Sequence, residues 1–201
     1  KIIADFSKLE RIKIDKPKVG IVGEILVKYH PTANNSIIDY LESEGVEVVC
    51  PDLYDFFLYS AFDNIFNYKK LSGSFMSMFF SNVFIKYSEE LRDIVRKELE
   101  VHPFVHGPIK FKDLTKLVEP FVSFGNQTGE GWLLTAALIE LTESGAKNIV
   151  CMQPFACLPN HITGKGMVKE LSEKLNSNIV TIDYDPGLSE VNQINRIKLM
   201  L

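Results

Sequence analysis

Residues 17–27, PKVGIVGEILV, read as a strand: from Val19 on the run is apolar, interrupted only by Gly20, Gly23 and Glu24, with no alternation of polar residues. A strand that shows apolar residues on both faces is covered on both faces, and such strands belong to parallel sheets. Residues 30–45, HPTANNSIIDYLESEG, follow as a helix, with Thr32, Asn34 or Asn35 as its cap and Gly45 as its stop. Residues 46–52, VEVVCPD, supply a second strand. Strand, helix and strand in this short span make a βαβ unit.

The pattern recurs near the other end of the chain. A capped helix is expected over 128–145, a strand over 146–154, a helix over 161–176, a strand over 177–186 and a closing helix over 188–201. Between the two halves, residues 53–125 are rich in aromatics and read as a helical insertion after the second strand. The aromatic block at 54–87 reads as core or a partner interface ahead of a cofactor pocket. The expected fold is therefore α/β, Rossmann- or flavodoxin-like, with about four mostly parallel strands and helices on both faces. Residues 1–16 read as a leader or linker and 17–201 as a single α/β domain. The chain begins without Met, and the expectation is a piece of a longer polypeptide.

Composition narrows the function classes. Net charge is −4, with 22 Lys and Arg against 26 Asp and Glu, so the cation excess that nucleic-acid binding needs is missing. No apolar run approaches the ~20 residues that span a bilayer, so no membrane partner is expected. Three cysteines make no disulfide framework, and a reducing cytoplasm is the expected compartment.

In a parallel α/β sheet ligands sit outside the carboxyl ends of the strands. That rule selects four segments, Glu24–Pro31, Cys50–Asp55, Pro154–His161 and Asp183–Gly187. On the expected rim, Glu24, His30 and Asn34 follow the first strand, and a carboxylate directly after VGIVG needs a partner. Gly129 and Glu130, in GNQTGEGW, precede a helix whose amide end favours anions, although a simple loop and cap fits the same residues. His161 lies four residues after Cys157.

The cysteines differ by position. Cys151 falls inside its strand, where a free thiol usually packs as a small hydrophobe. Cys157 sits between Pro154 and Pro159 in a loop leading to a helix, where a thiolate is a better ligand or nucleophile. Cys50 ends the second strand beside Pro51. A zinc site from Cys50, Cys151, Cys157 and His161 lacks finger or ribbon spacing. A Cys157–His161 nucleophile pair lacks an orienting third group. Neither TGKG nor VGIVGE completes a phosphate or dinucleotide motif.

Three stretches carry a resemblance to a known family: KPKVGIVGEILVKYHPTANNSIIDYLESEGVEVVCPDLYDFFLY, GEGWLLTAALIELTESGAKNIVCMQPFACLPNHITGKG and IVTIDYDPGLSEVNQINRIKLML. Over about residues 16–201 the chain resembles the C-terminal region of 2-hydroxyacyl-CoA dehydratase activase-related proteins (CoA-substrate-specific enzyme activases). That region is similar to the iron–sulfur component of 2-hydroxyglutaryl-CoA dehydratase. The resemblance implies a [4Fe–4S] cluster, with Cys157-Leu-Pro159 at the position of a family ligand. It reaches Cys151 and Cys50 less directly, because neither is in register with a family cysteine. The remaining ligands, the ATP-binding activase domain and most of an acyl-CoA pocket are not in these residues, so the implied partners are other domains of the same polypeptide. A homo-oligomer or a dehydratase-like protein is a further possible partner. The implied activity is ATP-driven electron transfer to or within a 2-hydroxyacyl-CoA dehydratase system. The alternative is a non-catalytic α/β module that docks an activase or dehydratase without holding a cluster.

Overall fold

The structure is a computed structural model and describes residues 2–10, 14–101, 107–185, 187 and 189–201. The chain divides into two compact units, one of Lys1–Asp15 and Tyr54–Leu114, the other of Lys16–Leu53 and Thr115–Leu201.

The first unit begins with a short helix α1 (Ile2–Phe6), none of whose residues is buried. In the second unit, β1 (Lys18–Gly23) leads into α2 (Ile25–Tyr29), α3 (Ile37–Ser43) and β2 (Glu47–Val49). The first unit then resumes with the long helices α4 (Tyr54–Lys70) and α5 (Phe75–Glu100), and α6 (Phe111–Val118) carries the chain back. The second unit continues with α7 (Gly131–Glu143) and β3 (Asn148–Pro154), then a π-turn (Asn160–Gly164) and a 3₁₀ turn (Lys165–Met167). It closes with α8 (Val168–Leu175), β4 (Asn178–Tyr184) and α9 (Glu190–Met200).

The four strands form one parallel sheet in the order β2-β1-β3-β4. This is the α/β architecture the apolar runs call for, with the helical insertion after β2. The central strands explain why their sequences do not alternate: five consecutive residues of β1, and five of β3, are buried. On one face, Ile37 and Leu41 of α3 and Ile197 and Met200 of α9 pack over Val19, Ile21, Val150, Met152 and Ile182. The other face carries α7 and α8; Gly20 lies under Leu141, where an added Cβ would come within 2.8 Å of its Cδ1. Helix α7 is buried along most of its length, which accounts for its nearly all-apolar sequence.

The boundaries differ from the sequence expectation most in four places; the helix expected over 30–45 is α3, which begins only at Ile37, after a run of turns. The first strand stops at Gly23 rather than at residue 27, because residues 25–29 form α2. Two carboxylates start that helix: Glu24 Oε2 accepts from the Val27 amide at 2.9 Å and Glu130 Oε1 from the Ile25 amide at 2.9 Å. The second strand is three residues long, an edge strand curtailed before Pro51. The segment read as one helix over 161–176 opens with the π-turn and the 3₁₀ turn before α8 begins.

In the first unit α4 and α5 run antiparallel, as three contacts along them show. Asp55 and Arg92 pair at 2.6 Å, Asn64 donates to Ser81 Oγ at 3.2 Å, and the rings of Tyr68 and Phe75 meet at 5.8 Å. The buried residues of α5 are all polar: Ser81, Ser88, Arg92 and Arg96. Tyr54 Oη donates to Ser88 Oγ at 2.9 Å, Arg92 is ion-paired to Asp55, and Arg96 binds Glu89 and the Pro108 carbonyl.

Candidate functional site

The carboxyl ends of β1, β3 and β4 create the rim on which most of the candidate residues sit. At Gly23 there is no room for a side chain against β3: a Cβ there would lie 2.2 Å from the Met152 carbonyl oxygen, so only glycine allows the approach. The next amide, of Glu24, donates to that same carbonyl at 3.1 Å. Glu24 and the buried Glu130 then each use one carboxylate oxygen on the first turn of α2. Asn34 is buried; its amide donates to the Val27 carbonyl at 2.8 Å, and its Oδ1 accepts from the Ile37 amide at 3.3 Å. It therefore ties α2 to the start of α3, a structural cap. The carbonyl of His30 accepts from the Ala33 and Asn34 amides, while its side chain is turned to the surface. Gly129 adopts φ +60°, in the left-handed region, and packs against Pro159, so the Gly129–Glu130 loop abuts the loop that carries Cys157.

The Cys157 loop is a tight turn. The Phe155 amide donates to the Tyr184 carbonyl at 3.0 Å, extending the β3–β4 pairing by one bond. Ala156 takes φ +60° and the Cys157 amide returns to the Pro154 carbonyl at 3.1 Å. The π-turn follows, a conformation that often marks functional positions. Its extra-wide carbonyls are held by side chains: Thr135 Oγ1 donates to the Thr163 carbonyl at 2.6 Å and Thr163 Oγ1 to the Pro159 carbonyl at 3.0 Å. The Cys157 thiol, half-buried, donates to Asn160 Oδ1 at 3.1 Å.

His161 lies on the π-turn with Nδ1 2.9 Å from the Cys157 carbonyl. A carbonyl only accepts, so Nδ1 carries the hydrogen and Nε2 faces the rim. Nε2 is 3.4 Å from the Gln153 amide nitrogen and 3.8 Å from Asp183 Oδ1. Gln153 Nε2 donates to that same Asp183 oxygen at 2.6 Å, and Lys165 Nζ lies 3.8 Å from Asp183 Oδ2. Gln153 and Asp183 are register partners at the ends of β3 and β4, which is why they meet. Two polar atoms of this cluster, Gln153 Oε1 and Asn160 Nδ2, are buried with no hydrogen-bond partner among the described residues. Of these residues, Gln153 and Lys165 escaped the sequence reading. A glutamine closing the buried run NIVCM was the available signal, because a strand interior admits such a side chain only where it has a partner.

The three cysteines are not brought together. Cys151 is fully buried in β3 between Val22 and Thr181, with Gly164 seated over its sulfur, where an added Cβ would lie 3.2 Å away. Burial pushes its thiol up to about 12, and the nearby Asp183 charge adds to the shift. Cys50 lies just past β2, half-buried, its sulfur 3.7 Å from the Pro51 carbonyl. Burial raises its thiol as well, and Lys28 opposes the shift. Strand β1 intervenes between β2 and β3, a separation of about 10 Å at ordinary strand spacing. Among the described residues no three His, Cys, Asp or Glu side chains converge as a set able to hold a metal ion. The donors among the described residues therefore do not assemble into a whole cluster or a Cys₃His zinc site.

Comparison with protein-family models, with curated proteins and with solved structures finds no match to this chain. Among the described residues no helix is long and apolar enough to cross a membrane.

Proposed function

We propose that this chain is a dehydratase-component-like module of an acyl-CoA dehydratase activase-related protein. In this reading it takes part in iron–sulfur-based, ATP-driven electron transfer to or within a 2-hydroxyacyl-CoA dehydratase system. The observation that carries the reading is the position of Cys157, a half-buried thiol on the turn after β3, at the carboxyl edge of a parallel sheet. That is the loop to which the family resemblance assigns a cluster ligand. Asn160, which accepts from the thiol, orients its sulfur. A [4Fe–4S] cluster supplies low-potential one-electron chemistry when bound. Its other ligands would come from outside the described residues, as would ATP hydrolysis and most of the acyl-CoA site.

The test is iron and sulfide analysis of the assembled protein, purified without oxygen, as wild type, Cys157→Ala and Cys151→Ala. Loss of iron and sulfide in the first variant and retention in the second is expected. Full retention in Cys157→Ala removes the assignment.

A second reading rests on a different observation. The outward face of α5 is apolar over most of its length, as an interaction module requires. In that reading the chain is a non-catalytic module that docks an activase or dehydratase partner through its aromatic helical insertion and holds no cluster, and no iron is found in any of the three proteins.

A further inference from the structure

Helix α5 is inverted relative to an ordinary amphipathic helix. Its buried residues are Ser81, Ser88, Arg92 and Arg96, while ten of its apolar side chains between Phe75 and Val95 are 41–61% exposed. At 3.6 residues per turn the two sets occupy opposite sides of the helix. The polar side makes hydrogen bonds and ion pairs to α4 and within α5 itself, although Arg92 Nη2 and Glu89 Oε1 are buried with no hydrogen-bond partner among the described residues. Solvent therefore meets the apolar side, an arrangement that a partner must relieve.

The spacing of the apolar side identifies the partner. Met76, Phe80, Val83, Tyr87, Leu91 and Ile94 recur at intervals of three and four, the seam spacing of paired helices. Most of the apolar side is also symmetric about position 85: Phe75 and Val95, Met76 and Ile94, Phe79 and Leu91, and Val83 and Tyr87 are equidistant pairs, while Phe80 and Phe84 are equidistant from that position with Glu90 and Lys86. A two-fold axis at that position would lay each member of a pair against the other member on a second copy, the self-complementarity that an isologous interface demands. Parallel pairing would instead put Glu90 against Glu90, like charge on like charge.

The area agrees. Large aromatic side chains carry roughly 150–250 Å² each, so the five aromatics of this face, about half exposed, present roughly 500 Å², to which its five aliphatic side chains add. A standard interface takes about 800 Å² per partner. A lipid surface fits less well, because interfacial helices keep cations free on their polar side to meet headgroups. Here Arg92 and Arg96 on that side are buried and ion-paired.

We propose that the exposed face of α5 is the dimerisation surface of this protein, and that it packs antiparallel on α5 of a second copy with its two-fold at residue 85. This assignment is independent of the cluster reading: Cys157→Ala is expected to dimerise like the wild type.

Sedimentation equilibrium on the full chain tests it, with a charge-swap pair. Wild type is expected at twice the chain mass. Val83→Glu and Tyr87→Lys, both at exposed positions, are each expected at the monomer mass with helix content unchanged by circular dichroism. An equimolar mixture of the two is expected to recover the dimer, because Glu at 83 then faces Lys at 87 across the axis. Should either variant lose helix, Ile94→Lys at the far end of the seam is expected to dissociate the dimer in its place. A monomeric wild type overturns the proposal, whether or not it binds lipid vesicles. So does a dimer that survives these substitutions, and so does failure of the mixture to recover it.

Discussion

Burial keeps Cys151 protonated, and this has a consequence for stability against pH. Its thiol is raised from the ordinary 9.0 to about 12 in the folded protein, whereas the unfolded chain titrates near the ordinary value. The folded state therefore holds the proton more tightly. The stabilisation is fully present below about pH 9 and is lost as pH rises toward 12. Wild type is expected to lose up to ~1.4 kcal/mol per pH unit in that window through this group. Urea melts of wild type and Cys151→Ala at rising pH check it: the variant should show the shallower decline, and parallel curves would mean that Cys151 is accessible. At this scale the sequence was informative about Cys151 and Cys157, since one sits in an apolar strand and the other between two prolines. It was silent on Gln153 and Lys165. What makes them members of a cluster is the β3–β4 register and the π-turn, both products of tertiary pairing.

Among the elements, the strands were the most legible. The unbroken apolar runs of β1 and β3 announce burial on both faces. The end of β1 was not legible, because the residues that turn the chain into α2 include Glu130, more than a hundred positions away. Helix α5 was legible as a helix but its orientation was not. An apolar stripe at helical spacing normally faces the core, and here the ion pair between Asp55 and Arg92 takes that place, with side chains only 9% and 7% exposed. Removing Arg92 takes from the buried Asp55 carboxylate the cation 2.6 Å away, so Arg92→Ala is expected to destabilise the α4–α5 pair by about 3–5 kcal/mol. Replacing both, as Asp55→Leu with Arg92→Met, is expected to be close to neutral. Chemical denaturation of the three proteins followed by circular dichroism measures the difference. Equal losses in the single and double variants would contradict a buried pair.

At the scale of the whole molecule, the chain joins an α/β unit with a rim of polar side chains to a helical unit whose outward surface is apolar. The proposed chemistry belongs to the first and the proposed association to the second, and neither proposal needs the other. The two-unit division follows from where the insertion leaves and re-enters the α/β fold, near residues 54 and 114. The aromatic composition of that insertion made it visible as a separate segment, yet composition alone did not separate core from interface. The proposed chemical role rests on one sulfur, that of Cys157. Mass-mapped alkylation of the three cysteines in the assembled, oxygen-protected protein, before and after iron is stripped by a chelator, tests that role most directly. With Cys157 as a cluster ligand, it should be protected before stripping and react rapidly afterwards, while Cys151 stays protected in both states. Equal reactivity of Cys157 in the two states would contradict it.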